Sequence, residues 1–387
     1  MKTTRDRAVR AGTVAIVAAV VAALVAAGQA WGAANGKIAF WRYDPVADMA
    51  QTFTINPDGT HETPIPGGSF CSGWSPDGSR LVLCPLNAAG LNRPATAAAD
   101  GSHYTLLDAY PGLPLDLNCA WWSRDAARLL CQAEDGLYTV RSSDGGDLVR
   151  VTTQPPGLET QPVGYSPDGS RILYEQIDPN GDIHGDLYSV KPDGSGRRQL
   201  NPPDLPVTAS GLGNAFNLDD CCGPNAAWSP DGSRVVFSGL WKDPTSPNNK
   251  GLQLALYTVN ADGSDLRRIT PLGIGPRDGL AWSPTGRLIA FSTRRQVQWP
   301  QIWTVHPDGS ALRELTQPTN ADVSVGPVFS PDGTKIVFPS YHPEINGGQE
   351  DLWTINVDGT GLTRLTSPIA GFPFGEEAPV WGTAPAA

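Results

Sequence analysis

The residues with reactive chemistry in this 387-residue chain are few and scattered. Two segments approach the G-x-S-x-G nucleophile elbow of serine hydrolases, GWSPD at 73–77 and GYSPD at 164–168, but each carries Asp where the second Gly must sit. Asp178, Asn180 and Asp182 have the D-x-N-x-D spacing that can wrap a hard cation. The twelfth position of that loop is Ser189 rather than a bidentate Glu, and Asp-Pro-Asn-Gly is also an ordinary polar turn, the reading preferred here. Of the five His, His61, His103 and His306 follow one type of turn, while His184 and His342 follow another, so three imidazoles are not expected to converge on a transition metal. No catalytic residue, metal ligand set or cofactor is therefore assigned.

The six Cys are more informative. An even number suits disulfides in an oxidising compartment. Cys71 and Cys84 stand symmetrically about one predicted hairpin and should face each other across it. Cys119 and Cys131 are one residue out of register about the next, and a small register change there, where Ala126 replaces the turn Gly, would join them. Cys221 and Cys222 are adjacent, open to a vicinal disulfide, a bridge to another chain, or free thiols.

The elements that position these residues are set by a repeat. WSPDGSR plus an apolar strand stands at 74–83, and YSPDGSRILY, WSPDGSRVVF, WSPTGRLIAF and FSPDGTKIVF follow at 165, 228, 282 and 329, with a worn copy, WSRDAARLLC, at 122–131. Between them comes a second unit, as in YTVNADGSDLRRIT at 257–270 and WTVHPDGSALRELT at 303–316. Pro fixes φ, Asp bonds its neighbouring backbone and Gly supplies φ > 0, so each unit is a hairpin, and two hairpins make a four-stranded antiparallel sheet. The opening aromatics Trp74, Trp122, Tyr165, Trp228, Trp282, Phe329 and Trp381 recur every 43 to 63 residues. The last has no second strand after it, and GKIAFWR at 36–42 has no aromatic strand before it. Pairing these two strands closes a ring and removes two exposed edges. The expectation is an all-β, seven-bladed β-propeller over residues 36–383.

These motifs resemble the WD40-like repeats of the TolB propeller family, across essentially all of 36–383. The resemblance implies a periplasmic or secreted propeller acting mostly as a binding platform. Two departures stand out: seven repeats rather than six, and no room before them for that family's α/β domain.

Lys2, Arg5, Arg7 and Arg10, the uncharged run 11–28 and the small residues Gly28, Ala30, Gly32 and Ala33 make 1–32 a signal peptide, the favoured reading, or an N-terminal membrane anchor. Either places the propeller outside the cytoplasm. A net charge of -11 argues against nucleic acid or an anionic lipid surface as partner. Length variation falls in the connections between second and third strands and between blades, which makes that face the expected binding face. Trp241, Trp299, Tyr341 and His342 are its candidate contacts, with Arg294, Arg295, Asp219 and Asp220 as charged neighbours. The function expected is non-enzymatic binding of an extracytoplasmic protein or envelope polymer. The alternative is a propeller enzyme of polysaccharide lyase or lactonase type with a metal in its channel.

Overall fold

The computed structural model describes residues 33–385 except 45–48, 68–72, 88–89, 110–115, 179–183, 206, 209–224, 243–251, 296–297, 318–322, 342–349 and 368–375. All its regular elements are strands, arranged as seven four-stranded antiparallel blades. Blade 1 joins the two ends of the chain: its first strand is Glu376–Thr383 and its second Asn35–Asp44, with Ile38 opposite Trp381 and Asn35 opposite Thr383. The ring therefore closes by pairing of the terminal strands, as the unmatched half-repeats require.

The first strands of blades 2 to 6 are Gly73–Trp74, Asn118–Trp122, Glu159–Tyr165, Ala226–Trp228 and Pro276–Trp282; blade 7 begins with Val323–Ser324 and Val328–Phe329. Within each sheet the strands run in order from first to fourth, and the first strands neighbour one another from blade to blade, so they surround the axis. A short strand, Val207–Thr208, pairs with the third strand of blade 4 and the second of blade 5, sewing those two sheets together.

Seven clusters of buried side chains occupy the seven seams, each formed by facing sides of two adjacent blades. Seam 4/5, for example, sets Leu173, Leu187 and Leu200 against Val235, Phe237 and Tyr257. Apolar burial between blades, not within any one of them, is thus the main favourable term holding the ring.

The repeated sequence is explained by its turn. In blade 2, Ser75 Oγ donates to Asp77 Oδ1 at 2.5 Å, the Ser79 amide donates to the same oxygen, and the Arg80 amide donates back to Ser75 Oγ. The same wiring recurs around Asp125, Asp168, Asp231 and Asp332. Gly78 takes φ 69° at the turn, and in the worn copy Ala126 is held at φ 56° in its place. The turn is conserved there at the cost of left-handed backbone on a residue with a Cβ.

Cys119 and Cys131 lie directly opposite and are bonded, with Cα atoms 4.0 Å apart. The register change that joins them is a bulge between Cys119 and Trp121, not an alteration of the Ala126 turn. A bulge two residues before the aromatic is also found in blade 4, between Pro162 and Gly164. It belongs to the repeat, which is why counting from the turn alone leaves the pair one residue apart. Cys84 is also disulfide-bonded; its expected partner Cys71 lies outside the described residues, as do Cys221 and Cys222.

Candidate functional site

Three of the tryptophans that open blades fasten their blade to the one before, whereas Trp381 Nε1 donates to the Gly36 carbonyl within its own blade. Trp74 Nε1 donates to the Val380 carbonyl at 3.2 Å, Trp122 Nε1 to Gly73 at 2.9 Å and Trp282 Nε1 to Ala227 at 3.2 Å. Each acceptor is the residue just before the preceding blade's aromatic. Blade 4 departs from this rule on both sides. Its aromatic is Tyr165, whose buried hydroxyl has no partner, and the Trp228 indole N–H of blade 5 is likewise buried and unpaired. A tyrosine, which has no indole N–H, accounts for the missing bond to blade 3. Burial pushes the Tyr165 phenol well above the ordinary range, so it stays neutral.

A cavity of about 440 Å³ opens where the first strands of blades 2 to 5 converge. Its walls include Trp74, Trp121, Trp122, Tyr165 and Trp228, with Arg124 at the rim. It continues into a groove of about 730 Å³ above seam 3/4, which shares Arg124 and Tyr165 and adds Arg128, Arg141, Ser143 and Asp168. Both volumes fall in the range of ligand sites, about 300–1,000 Å³. Turn residues Pro76, Ser166 and Pro167 line the cavity, so it opens on the face of the short Asp-Gly turns, opposite the variable connections.

Blade 3 supplies two side chains here that the repeat does not predict. Where the residue before the aromatic is Gly73, Gly164, Ala227, Ala281, Val328 or Val380 in the other blades, blade 3 has Trp121. Where the turn has Pro76, Pro167, Pro230, Pro284 or Pro331, blade 3 has Arg124. Trp121 fits because its neighbour in blade 4 is Gly164: a Cβ there would lie 3.0 Å from Trp121 Cδ1, and φ is +140°. Arg124 is exposed and has no hydrogen-bond or ion-pair partner among the described residues.

The other groove charges are committed. Arg128 pairs with Asp147 at 2.6 Å and Arg141 with Asp144 at 2.8 Å. The Ser166 hydroxyl, together with the Ser170 amide and hydroxyl, holds the Asp168 carboxyl down at about 2. Asp125 is lowered in the same way by Ser123 and the Ala127 amide. These carboxylates are ionised acceptors, not proton donors, at neutral pH. The groove is aromatic on its floor and near charge balance at its rim.

The residues expected from sequence to form the binding face lie elsewhere. Trp241, Arg294, Arg295, Trp299 and Tyr341 all stand where second strands end or third strands begin in blades 5, 6 and 7, so the topology gathers them at one end of three adjacent blades. Trp299 is exposed at 55%, Trp241 packs partly into seam 4/5, and Tyr341 is half-buried where the second strand of blade 7 ends. Arg294 and Arg295 lie in a strand, and His342, Asp219 and Asp220 fall outside the described residues. Asp178 is exposed at a strand end, while Asn180 and Asp182 fall outside the described residues. His61, His103 and His306 sit in the turns between third and fourth strands of blades 1, 2 and 6. No group of three or more His, Cys, Asp or Glu among the described residues could hold a metal ion.

Sequence reasoning passed over Trp121 and Arg124. Their signal is in the repeat itself: the worn copy at 122–131 has Arg124 at the turn Pro position, and Trp121 stands just before it where the other copies have Gly, Ala or Val.

No protein-family model matches the chain. It is 29% identical over 231 residues to an uncharacterised protein of Agrobacterium fabrum, covering 60% of this chain and 68% of that one. It is 32% identical over 114 residues to a TolB homolog of Chlorobium luteolum, covering 30% of this chain but 23% of the relative. Among solved structures, an oligogalacturonate lyase in complex with manganese superposes with a TM-score of 0.56 at 14% identity, covering 91% of this chain and 98% of the lyase. That likeness is one of fold. Repeat and strand topology make the chain a β-propeller, and its sequence likeness to the TolB homolog is confined to 30% of its length.

Proposed function

We propose that this chain is an exported, non-enzymatic binding platform whose ligand is an extracytoplasmic protein or an envelope polymer. The observation that carries the reading is the composition of its two concave or aromatic-bearing surfaces. The axial cavity and groove present Trp, Tyr and an unpaired Arg, while the nearby carboxylates are locked into turns as ionised acceptors. Exposed aromatics and Arg on a rigid frame are the usual anchors of recognition. The opposite end of blades 5 to 7, with Trp299 exposed at 55%, is a second surface of the same kind. Export is supported by the basic and apolar segment 1–32 and by the Cys119–Cys131 disulfide, since such bonds persist outside the reducing cytoplasm. The WD40-like repeat of the TolB family, read from WSPDGSR and its partners, agrees with a binding role.

The test is affinity purification of the full chain from native cell envelopes after mild cross-linking, with identification of what is retained. A parallel sample carries Trp241→Ala, Arg294→Ala and Tyr341→Ala together. Enrichment of one envelope component supports the platform reading, and its loss in the triple variant assigns it to the variable face. Turnover of a polysaccharide or lactone by the purified chain, dependent on an added metal, would replace the reading with the enzymatic one.

A further inference from the structure

We infer that the cavity and groove of blades 2 to 5 form a binding site for an uncharged oligosaccharide chain, with Trp121 as its stacking platform and Arg124 as its hydrogen-bonding arm. The inference rests on the binding-platform reading and names the ligand class for one of its surfaces. Four features carry it. First, the floor is aromatic: Trp74, Trp121, Tyr165 and Trp228 all line the cavity without being fully buried. The C–H faces of a pyranose ring pack against such rings, which present negative π-faces to them. Second, the cavity and the groove lie side by side with Arg124 and Tyr165 in the walls of both, so together they suit a chain better than a single small molecule.

Third, the rim is polar but nearly neutral. With Arg128 and Arg141 already paired, Arg124 faces the ionised Asp125 and Asp168. Hydroxyl groups can donate to those carboxylates and accept from the guanidinium. A polyanionic sugar would gain one cation and meet two carboxylates, in a chain whose net charge is already -11. Fourth, the hairpin turns that line the groove keep their backbone donors to themselves. The turn amides are spent within their hairpins, Ser123 N–H on Arg128 O, Arg128 N–H on Ser123 Oγ, and likewise Ser166 with Arg171. An extended peptide would bury its own backbone groups against them without return.

That both key side chains come from one blade strengthens the case. Trp121 and Arg124 replace a small residue and a proline that the other blades keep. Arg124 gives up the turn-forming Pro, and Trp121 is seated only because blade 4 has Gly at 164. Arg124 does nothing for the turn, Trp121 packs only partly against seam 3/4, and both side chains reach the same cavity.

The experiment is calorimetric titration of the full chain with cellohexaose, chitohexaose, maltohexaose and, as the charged comparator, hexagalacturonate. The expected result is binding of a neutral hexaose. Trp121→Ala, which installs the residue found at 227 and 281, should weaken it by about tenfold or more, the loss of roughly 1.4 kcal/mol. Arg124→Pro restores the repeat turn, so it should fold at least as well as the parent and still bind more weakly. Trp241→Ala, at the other end of the ring, should leave the affinity unchanged. The inference is overturned if no neutral hexaose binds at about 10 mM, if hexagalacturonate binds more tightly than all three, or if both blade 3 variants bind like the parent. Capture of an envelope protein that needs Trp241 or Tyr341, with no hexaose bound, would end this inference and leave the platform reading standing. Capture of a peptide that needs Trp121 would reassign the groove.

Discussion

Replacing the blade-opening tryptophans one at a time by Phe should divide them into two classes. Trp122 is 8% exposed and its indole N–H reaches the Gly73 carbonyl at 2.9 Å in a buried setting. Trp228 packs against seam 4/5 with its N–H buried and unpaired. Both substitutions shrink the ring and lose comparable apolar burial, on the order of 1 kcal/mol. Trp122→Phe additionally breaks a hydrogen bond and strands a carbonyl, a further cost of about 1–3 kcal/mol. Trp228→Phe removes an orphaned donor and recovers a similar amount, about 1–3 kcal/mol, leaving it close to neutral. The two variants should therefore differ by roughly 2–6 kcal/mol in urea unfolding, with unchanged m. Trp282→Phe, whose bond to Ala227 is longer at 3.2 Å and partly buried, should fall between them. Equal losses at 122 and 228 would refute the idea that the indole bonds, rather than ring burial alone, fasten blade to blade.

Other perturbations address the closure, the disulfide, the worn turn and the acid limb. Deleting 376–387 removes the first strand of blade 1 and bares the edge of Asn35–Asp44; light scattering should show self-association that the intact chain lacks. Cys119→Ala with Cys131→Ala opens a loop of sequence separation 12 and should cost about 3 kcal/mol in non-reducing unfolding. Ala126→Gly relieves φ 56° and should stabilise the protein by up to about 1 kcal/mol, the opposite of the usual effect of Gly. Asp168 sits at about 2 when folded against 3.8 for the free group, because Ser166 and Ser170 bond its carboxylate. A depressed folded value gives stability that is complete above pH 4 and lost as pH falls through 3.8 toward 2. Asp77 and Asp125 shift in the same direction. The melting temperature should thus hold from pH 7 to about 4 and drop below it, and Asp168→Asn should flatten that drop.

Most of the architecture was legible because a propeller writes itself several times. Turn chemistry in WSPDGSR gave the hairpins, the spacing of the aromatics gave the blades, and two unmatched half-repeats gave the closure. Symmetry about the turn also brought Cys119 within one residue of Cys131. The remaining residue was lost because a bulge lies in the strand, where apolar alternation continues on both sides and nothing marks the extra residue. The site was harder to see for a related reason. Long, variable connections drew attention to one face, whereas the cavity is built from first strands whose aromatics lie 43 or more residues apart in sequence and meet only once the blades have packed, as Trp122 and Gly73 do.

Two of the departures of blade 3 from its repeat, Trp121 and Arg124, fall on residues that face one cavity. Loss of the turn Gly at 126 is mere wear, since the φ of 56° keeps the old turn at a cost and Ala126 lies outside the cavity walls. Trp121 and Arg124 are different, because each adds a side chain to a surface where the repeat would have placed almost nothing. The neighbouring seams compound the effect. Tyr165 in place of Trp and the unpaired Trp228 N–H leave blade 4 without an indole bond on either side. Val207–Thr208 ties the sheets of blades 4 and 5 together away from the axis instead. Blade 7 shares the pattern, since its aromatic is Phe329 and Trp381 bonds Gly36 within blade 1. The apolar seams are what allow this: a ring held by seven of them keeps its cavity walls in place where an indole bond between blades is missing.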